Sequence, residues 1–336
     1  MGVVRTAAFG LALAAASLPA AATDVKFSLD WAFQGPQAPF LLALERGYFR
    51  DQGLNVTMDR GFGSGDVPIK IAAGTYDVGI ADINPTIRLR LENPDSTLFT
   101  PFIIYEASPL AVMTLKGQNI RRPQDLAGKI LAAPETDSGR QLFPAFARAV
   151  GLDLNSVRWQ TVSPQLRETM LVQGQANAIT GFITSGILSL RAAGVPADDI
   201  VTFRYGDYGV DLYSTSLLMT RRWAEANPRA VTGLITAIVR GQNEARRDPA
   251  AAIAALKRRD PLINEAVERE RMELGFRELT FTPHVVANGF GRIDMARLQR
   301  SIDIVREAFN IARPLAASEI YDPRFLPEAA ALAVAQ

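Results

Sequence analysis

Ile71–Asn84, IAAGTYDVGIADIN, and Leu171–Thr184, LVQGQANAITGFIT, share one grammar: a helix end, a glycine, an acidic or amide residue, a short apolar strand and a polar elbow. The repeat comes after about a hundred residues, too long an interval for a solenoid, where units of roughly 20–50 residues stack on each other. It reads instead as one supersecondary unit used in two similar lobes. The 336 residues fit that reading, because a chain this long exceeds what one hydrophobic core comfortably supports.

Working outward from the repeat, Val25–Leu29 reads as a strand and Pro39–Phe49 as a helix carrying Phe40, Leu41, Leu44 and Tyr48 on one side. LNVTM at 54–58 alternates as a second strand. GFGSGD at 61–66 is a glycine-rich loop that leads, through Asp66 as N-cap, into a helix closed by Gly74. The strand DVGI follows, and then DINPT, where Asn84 reads as N-cap and Pro85 as the first helical residue. β-Branched runs that alternate with helical patterns predict parallel strands joined by crossover helices. The middle of the chain repeats the order: a strand near Ile130, an elbow at Pro134–Gly139, a helix closed by Gly151, a strand in SVRWQTV and a helix from Ser163–Pro164 to Gly174.

Beyond Thr220 the pattern turns helical, at Pro228–Arg247, Pro249–Lys257, Pro261–Leu274 and Asp294–Phe309. With so few strands left, this tail must pack on an existing lobe. The expected division is residues 23–108 with 212–336 as lobe one and 109–211 as lobe two, joined by two crossing segments.

Residues 1–22 carry one charge, Arg5, an apolar run from Ala7 to Leu18, and small residues at Ala20 and Ala22, the pattern of a cleaved secretory signal. The run is too short for a membrane span and no later segment reaches eighteen uncharged apolar residues, so no stable membrane insertion is expected. The periplasm is the expected location. No cysteine is present, which excludes disulfides, a lipid-attachment thiol and thiolate chemistry. Without Arg5 the chain has 35 basic and 35 acidic residues, a balance that gives no concentrated positive field for nucleic acid. The runs RR at 121 and 221 and KRR at 257 read as solvated faces.

In open parallel sheets ligands gather outside the carboxyl ends of the strands, where helix N-termini point free N–H groups. The elbows expected there are DWAFQGPQ, GFGSGD, ADINP, PETDSG and GFITSG. Their side chains suit a small planar or anionic-headed organic molecule. Trp31 and Phe33 offer flat faces, Gln34, Gln37 and Asn84 offer amides, and Ser64, Thr136 and Ser138 offer hydroxyls. Asp82, Asp137, Phe182 and Tyr213 complete the candidate set. Structural alternatives stand beside each: Trp31 and Phe33 as wedges in lobe packing, the glycines as simple turn residues, Asp82, Asp137 and Ser138 as helix caps. Catalysis is poorly supplied, since the only histidine, His284, lies late in the chain beside a proline, and metal sites or triads built on His and Cys fall away. Carboxylate chemistry by Asp82, Asp137 and Asp211 is the remaining enzymatic alternative.

The chain resembles the periplasmic substrate-binding proteins of ABC importers, in the group that holds alkanesulfonate, taurine and nitrate binders together with binders of thiamine pyrimidine precursors. The residues that carry the likeness are LDW and PFLLALERGYFRDQGLNV within 29–56, IAAGTYDVGIAD at 71–82, RRPQDLAGKILAAP at 121–134, RETMLVQGQANAITGF at 167–182 and ANPRAVTGLITAIVRGQNEARRDPAAAI at 226–253. The resemblance implies a two-lobe α/β fold of the type II binding-protein kind that closes on its ligand by a hinge motion, without a cofactor or metal. It also implies a monomer that delivers a small molecule to a permease, and no enzymatic activity. One departure bears on the ligand. Where the pyrimidine-precursor branch follows LDW with a Pro-Asn pair and a histidine, this chain has AFQGPQAP. That loop then reads as a specificity element of lobe one, for either a sulfonate held by Ser64, Thr136, Ser138 and Arg140 or a heterocycle held by Trp31, Gln34, Gln37 and Asp82, with the acidic pair tilting toward the heterocycle.

Overall fold

The computed structural model describes residues 22–335, so the signal-peptide reading falls almost wholly outside the described residues. The chain first lays down β1 (Thr23–Ser28), β2 (Leu54–Asp59), β3 (Val78–Asp82) and β4 (Leu98–Ile103). It then crosses to lay down β5 (Leu110–Leu115), β6 (Ile130–Ala133), β7 (Arg158–Thr161), β8 (Ala178–Phe182) and β9 (Ile200–Arg204), and crosses back for β10 (Thr215–Thr220). Two five-stranded sheets result, in the orders β2-β1-β3-β10-β4 and β7-β6-β8-β5-β9. The orders correspond strand for strand. The two copies of the repeated unit supply β3 and β8, the middle strand of each sheet.

Position in the sheet explains the sequence of each strand. β2 alternates, with Leu54, Val56 and Met58 turned to the core and Asn55, Thr57 and Asp59 to solvent. β3 is buried on both faces and is apolar up to its terminal Asp82. The sheets are mixed rather than purely parallel. β10 runs antiparallel to β3 and β4, and β5 antiparallel to β8 and β9. These are the strands next to the two crossings, where the chain enters a sheet from the other lobe and is not returned by a crossover helix.

Several helix boundaries differ from the sequence expectation, each for a local reason. The first helix is Ala38–Glu45, shorter than Pro39–Phe49, and ends at the turn made by the left-handed Gly47. Asp82, not Asn84, caps the helix Ile83–Glu92, its side chain accepting from the Asn84 amide at 2.9 Å. The helix expected at Ser163–Pro164 begins at Arg167, after a turn closed by Leu166 N–H on Ser163 O. The single helix expected between the Pro134–Gly139 elbow and Gly151 begins within the elbow and is broken at Leu142 into Ser138–Gln141 and Phe143–Val150, with Pro144 opening the second part. In the tail, Pro261–Leu274 starts instead at Glu265 behind the N-cap Asn264, and Met295–Ala308 starts behind the N-cap Asp294.

The tail adds no strand to either sheet among the described residues. Its helix Pro228–Arg247 lies along Ala38–Glu45, and both share one core with Phe27, Leu41, Leu234 and Ile238. Helix Met295–Ala308 reaches both halves: it packs on Ile83–Glu92 and on Phe143–Val150, and Leu298, Ile302 and Val305 join Ile87, Leu91 and Phe146 in a second core. The closest approach in the first core is at Gly241, where a Cβ would stand 2.5 Å from the Pro39 carbonyl oxygen and 2.8 Å from Ala43 Cβ. A larger residue forces the two helices apart, a strain of about 1–3 kcal/mol. Gly241→Val is therefore expected to lower the unfolding free energy by about that much, read at pH 7 as a fall in the urea midpoint, and an unchanged midpoint would show that the helices separate freely.

Candidate functional site

β1, β3, β6 and β8 all end at the gap between the sheets, and the elbows of β1, β6 and β8 line a cavity whose empty space, open solvent included, is about 420 Å³. From the β1 elbow come Asp30, Trp31, Gln34, Pro36 and Gln37. Ser64 comes from the loop after β2, Asp137 and Ser138 from the elbow after β6, and Phe182, Thr184 and Ser185 from the start of the helix after β8. Tyr105, in the first crossing segment, and Arg167 complete the wall.

Close backbone approach builds the loops. Gly61 N–H and Gly63 N–H donate to the carbonyls of Trp31 and Asp30, both at 2.9 Å, and so fold the glycine-rich loop over the β1 elbow. The same loop touches the opposite lobe. Gly65 N–H donates to Thr136 O at 2.9 Å, and Thr136 Oγ1 donates to Phe62 O at 2.7 Å. Gly63, with φ +136°, has no room for a side chain, since a Cβ there would lie 2.5 Å from Thr136 O. The glycines thus do more than permit a turn.

The polar interior of the site is a buried network. Arg167, 1% exposed, donates to Glu168 Oε1 at 2.6 and 3.0 Å, to Asp137 Oδ2 at 3.2 Å and to Ser185 Oγ at 3.1 Å, and its guanidinium lies 5.0 Å from the Trp31 ring centroid. Trp31 belongs to the β1 elbow and Arg167 to the second sheet's side, so this cation–π contact bridges the gap. A second bridge runs through the helix Glu265–Gly275. Glu268 accepts from Gly35 N–H at 2.6 Å and pairs with Arg271 at 3.0 Å, and Arg271 donates to the carbonyls of Thr184 and Ser185 at 2.9 and 2.6 Å.

Asp30 is different. It is 4% exposed, accepts from Gln37 Nε2 at 2.9 Å, and has no ion pair among the described residues; burial pushes its carboxyl up to about 6. Burial likewise pushes Asp82 up to about 6, against the hydrogen bonds from Asn84 and Ser214 that favour its charge. Asp137 is also raised by burial, with Arg167 pulling the other way.

Of the residues expected from sequence, Trp31, Gln34, Gln37, Ser64, Asp137, Ser138 and Phe182 surround the cavity. Phe33 packs on the first core under Arg259, 5.4 Å from its ring centroid. Asp82 and Asn84 lie behind the wall and are fully buried; Asn84 Nδ2 donates to Asp82 Oδ1 and to Tyr213 O. Thr136 is spent on the contact between the lobes. Tyr213 sits under Arg297 in the returning segment and its hydroxyl accepts from Asp294 N–H. Arg140 turns away to Ala133 O, Thr161 and the Trp159 ring. Asp211 pairs with Arg297 at 2.7 Å, so the three aspartates considered for carboxylate chemistry do not converge. Sequence reasoning missed Asp30, Pro36, Tyr105, Arg167, Thr184 and Ser185, although all but Tyr105 stand in the elbows and motifs quoted above.

A family model described as NMT1/THI5 like matches residues 35–252. The chain belongs to the NMT1/THI5-like family. A formylaminopyrimidine-binding protein of Halalkalibacterium halodurans is 26% identical over 259 residues, covering 74% of this chain and 76% of the relative. Among solved structures, the alkanesulfonate-binding protein SsuA of Xanthomonas axonopodis pv. citri, bound to MOPS, superposes with TM-score 0.71 at 16% identity, over 90% of this chain and 100% of that one. The periplasmic nitrate-binding protein NrtA of Synechocystis PCC 6803 does so with TM-score 0.69 at 11% identity, over 92% and 88%. The fold is the two-lobe periplasmic-binding-protein fold, as the sequence resemblance implied. No helix of the described residues is long and apolar enough to cross a membrane.

The Asp30 geometry fixes a sign. Its carboxyl, neutral more readily in the fold than in the unfolded chain, contributes its full stability below about pH 4, and the contribution is lost as pH rises through about 6. At about 1.4 kcal/mol per pH unit, the ionised group costs roughly 3 kcal/mol at pH 8. Asn at this position keeps the acceptor for Gln37 and removes the charge. Asp30→Asn is expected to melt several degrees above the ligand-free wild type at pH 8 and near it at pH 4 in scanning calorimetry; a gain independent of pH would deny the buried charge.

Proposed function

We propose that the chain is a periplasmic solute-binding receptor that closes on a small nitrogen heterocycle and presents it to an ABC permease. The single observation that carries the choice of ligand is the acceptor-rich wall of the cavity, with Asp30 free of any counter-ion and Arg167 already engaged. A sulfonate or nitrate would have to share this space with an unneutralised carboxylate, whereas an amino-substituted ring supplies N–H donors and a face for Trp31. The relative named for formylaminopyrimidine binding supports the same class.

Residues 23–108 with 212–336 then move as one body against 109–211. Trp31, Gln34 and Ser185 line both the cavity and a groove outside it, so they form the partition that a ligand crosses when the lobes part. Closure remakes the Trp31–Arg167 contact over the bound molecule. Twelve of the thirteen lining side chains are polar or aromatic, a lining suited to holding a small organic molecule.

A thermal-shift screen of aminopyrimidines, alkyl and aryl sulfonates, taurine and nitrate tests the class. A binder present at a hundred times its dissociation constant stabilises by about 2.7 kcal/mol. Aminopyrimidines are expected to give the shift, and a shift with sulfonates alone would overturn the heterocycle reading. With the binder found, Trp31→Ala is expected to weaken affinity by about 1–3 kcal/mol in calorimetric titration, the loss of one stacked aromatic contact. Unchanged affinity in a folded variant would remove Trp31 from the site.

A further inference from the structure

We propose that Asp30 and Gln37 form one recognition edge for a positively charged, N–H-donating nitrogen group, so that the solute is a cation when bound. The inference deepens the receptor reading and rests on the cavity being the solute site.

Three observations converge on it. Asp30 lines the cavity, is buried, and is met among side chains by Gln37 Nε2 alone. The guanidinium that could have neutralised it, Arg167, spends its N–H groups on Asp137, Glu168 and Ser185. Gln37, 6% exposed, also lines the cavity, and its Oε1 has no hydrogen-bond partner among the described residues. Its amide orientation follows from its neighbour: with Nε2 toward the Asp30 carboxylate the pair attracts, and the flipped amide would set oxygen against oxygen. Gln37 thereby presents a buried acceptor that a ligand N–H can satisfy, and a buried acceptor favours a donor.

The charge around the cavity points the same way. The wall and the layer behind it bury Asp30, Asp82, Asp137, Glu168 and Glu268, against which the ion pairs set Arg167 and Arg271, a formal excess of three negative charges within this network. Burial raises Asp30, Asp82 and Asp137, so the excess weakens as pH falls. A planar cation with two or more N–H groups, such as an amidinium or a protonated amino heterocycle, can bond the Asp30 carboxylate and Gln37 Oε1 at once and neutralise the one cavity-lining carboxylate that has no arginine partner among the described residues.

A matched set of planar probes separates charge from shape: benzamidinium, neutral benzamide, anionic benzenesulfonate and 4-aminopyrimidine, titrated calorimetrically into the full chain at pH 8. Benzamidinium is expected to bind at least tenfold tighter than benzamide and to lose at least tenfold in Asp30→Asn. Benzamidinium keeps its charge over the whole range, so its affinity for the wild type is expected to fall about tenfold per pH unit below pH 6, a series that needs no variant. Binding of benzamidinium no tighter than benzamide, no detectable benzamidinium binding, or an affinity indifferent to both Asp30→Asn and pH overturns the charge assignment. If 4-aminopyrimidine binds equally to wild type and Asp30→Asn, the charge assignment falls while the heterocycle receptor stands. If benzenesulfonate alone binds, both fall.

Discussion

The site turns on the buried guanidinium of Arg167. It is the one side chain that holds the β6 elbow through Asp137, the start of its own helix through Glu168, the start of the next helix through Ser185, and the opposite lobe through the Trp31 ring. A buried ion pair is weak as a source of net stability, because desolvation consumes most of the Coulomb gain, but removing one partner strands the others at a cost of several kcal/mol. The value of Arg167 is therefore geometric. It fixes two carboxylates and a hydroxyl along one wall and leaves them unable to serve as free charges for a ligand, which is why the unpaired Asp30 across the gap dominates the chemistry left over.

Much of the fold was legible because its signals are local. Glycines 53, 74, 151 and 174 each close a unit in the left-handed conformation that the sequence demanded. The recurrence of helix, glycine, strand and elbow delivered β3 and β8 to matching places in two sheets. What local grammar could not show was strand direction at the crossings. β5 and β10 carry the same apolar composition as the parallel strands, and only pairing with strands far away in the sequence sets them antiparallel. The break at Leu142 hid behind a proline that reads equally well as a helix start.

The site was legible to the level of the elbow and not of the side chain. Elbows at the carboxyl ends of strands are forced toward the gap, so Trp31, Gln34, Gln37, Ser64, Asp137, Ser138 and Phe182 arrive there by topology. Which residue of an elbow faces in depends on a turn of about one peptide. Phe33 rotates onto the core while Trp31 and Gln34 beside it face the cavity. Arg167 escaped notice because it stands on a helix rather than an elbow, where an arginine normally reaches solvent. Tyr105 escaped because the crossing segment carries no pattern of its own.

The two lobes also show how a repeated unit acquires unequal roles. At the end of β3 stands Asp82, and at the equivalent end of β8 stands Phe182. Asp82 caps the following helix and holds Asn84, whose amide reaches Tyr213 O in the returning segment, so this elbow fastens the crossing to its lobe. Phe182 makes no side-chain cap and turns its ring to the cavity wall. A carboxylate at 182 would add a further buried charge beside Asp137, and an aromatic at 82 would leave Asn84 Nδ2 with one acceptor fewer. One elbow is thus committed to the frame and its twin to the ligand, and the difference rests on a single residue in each copy.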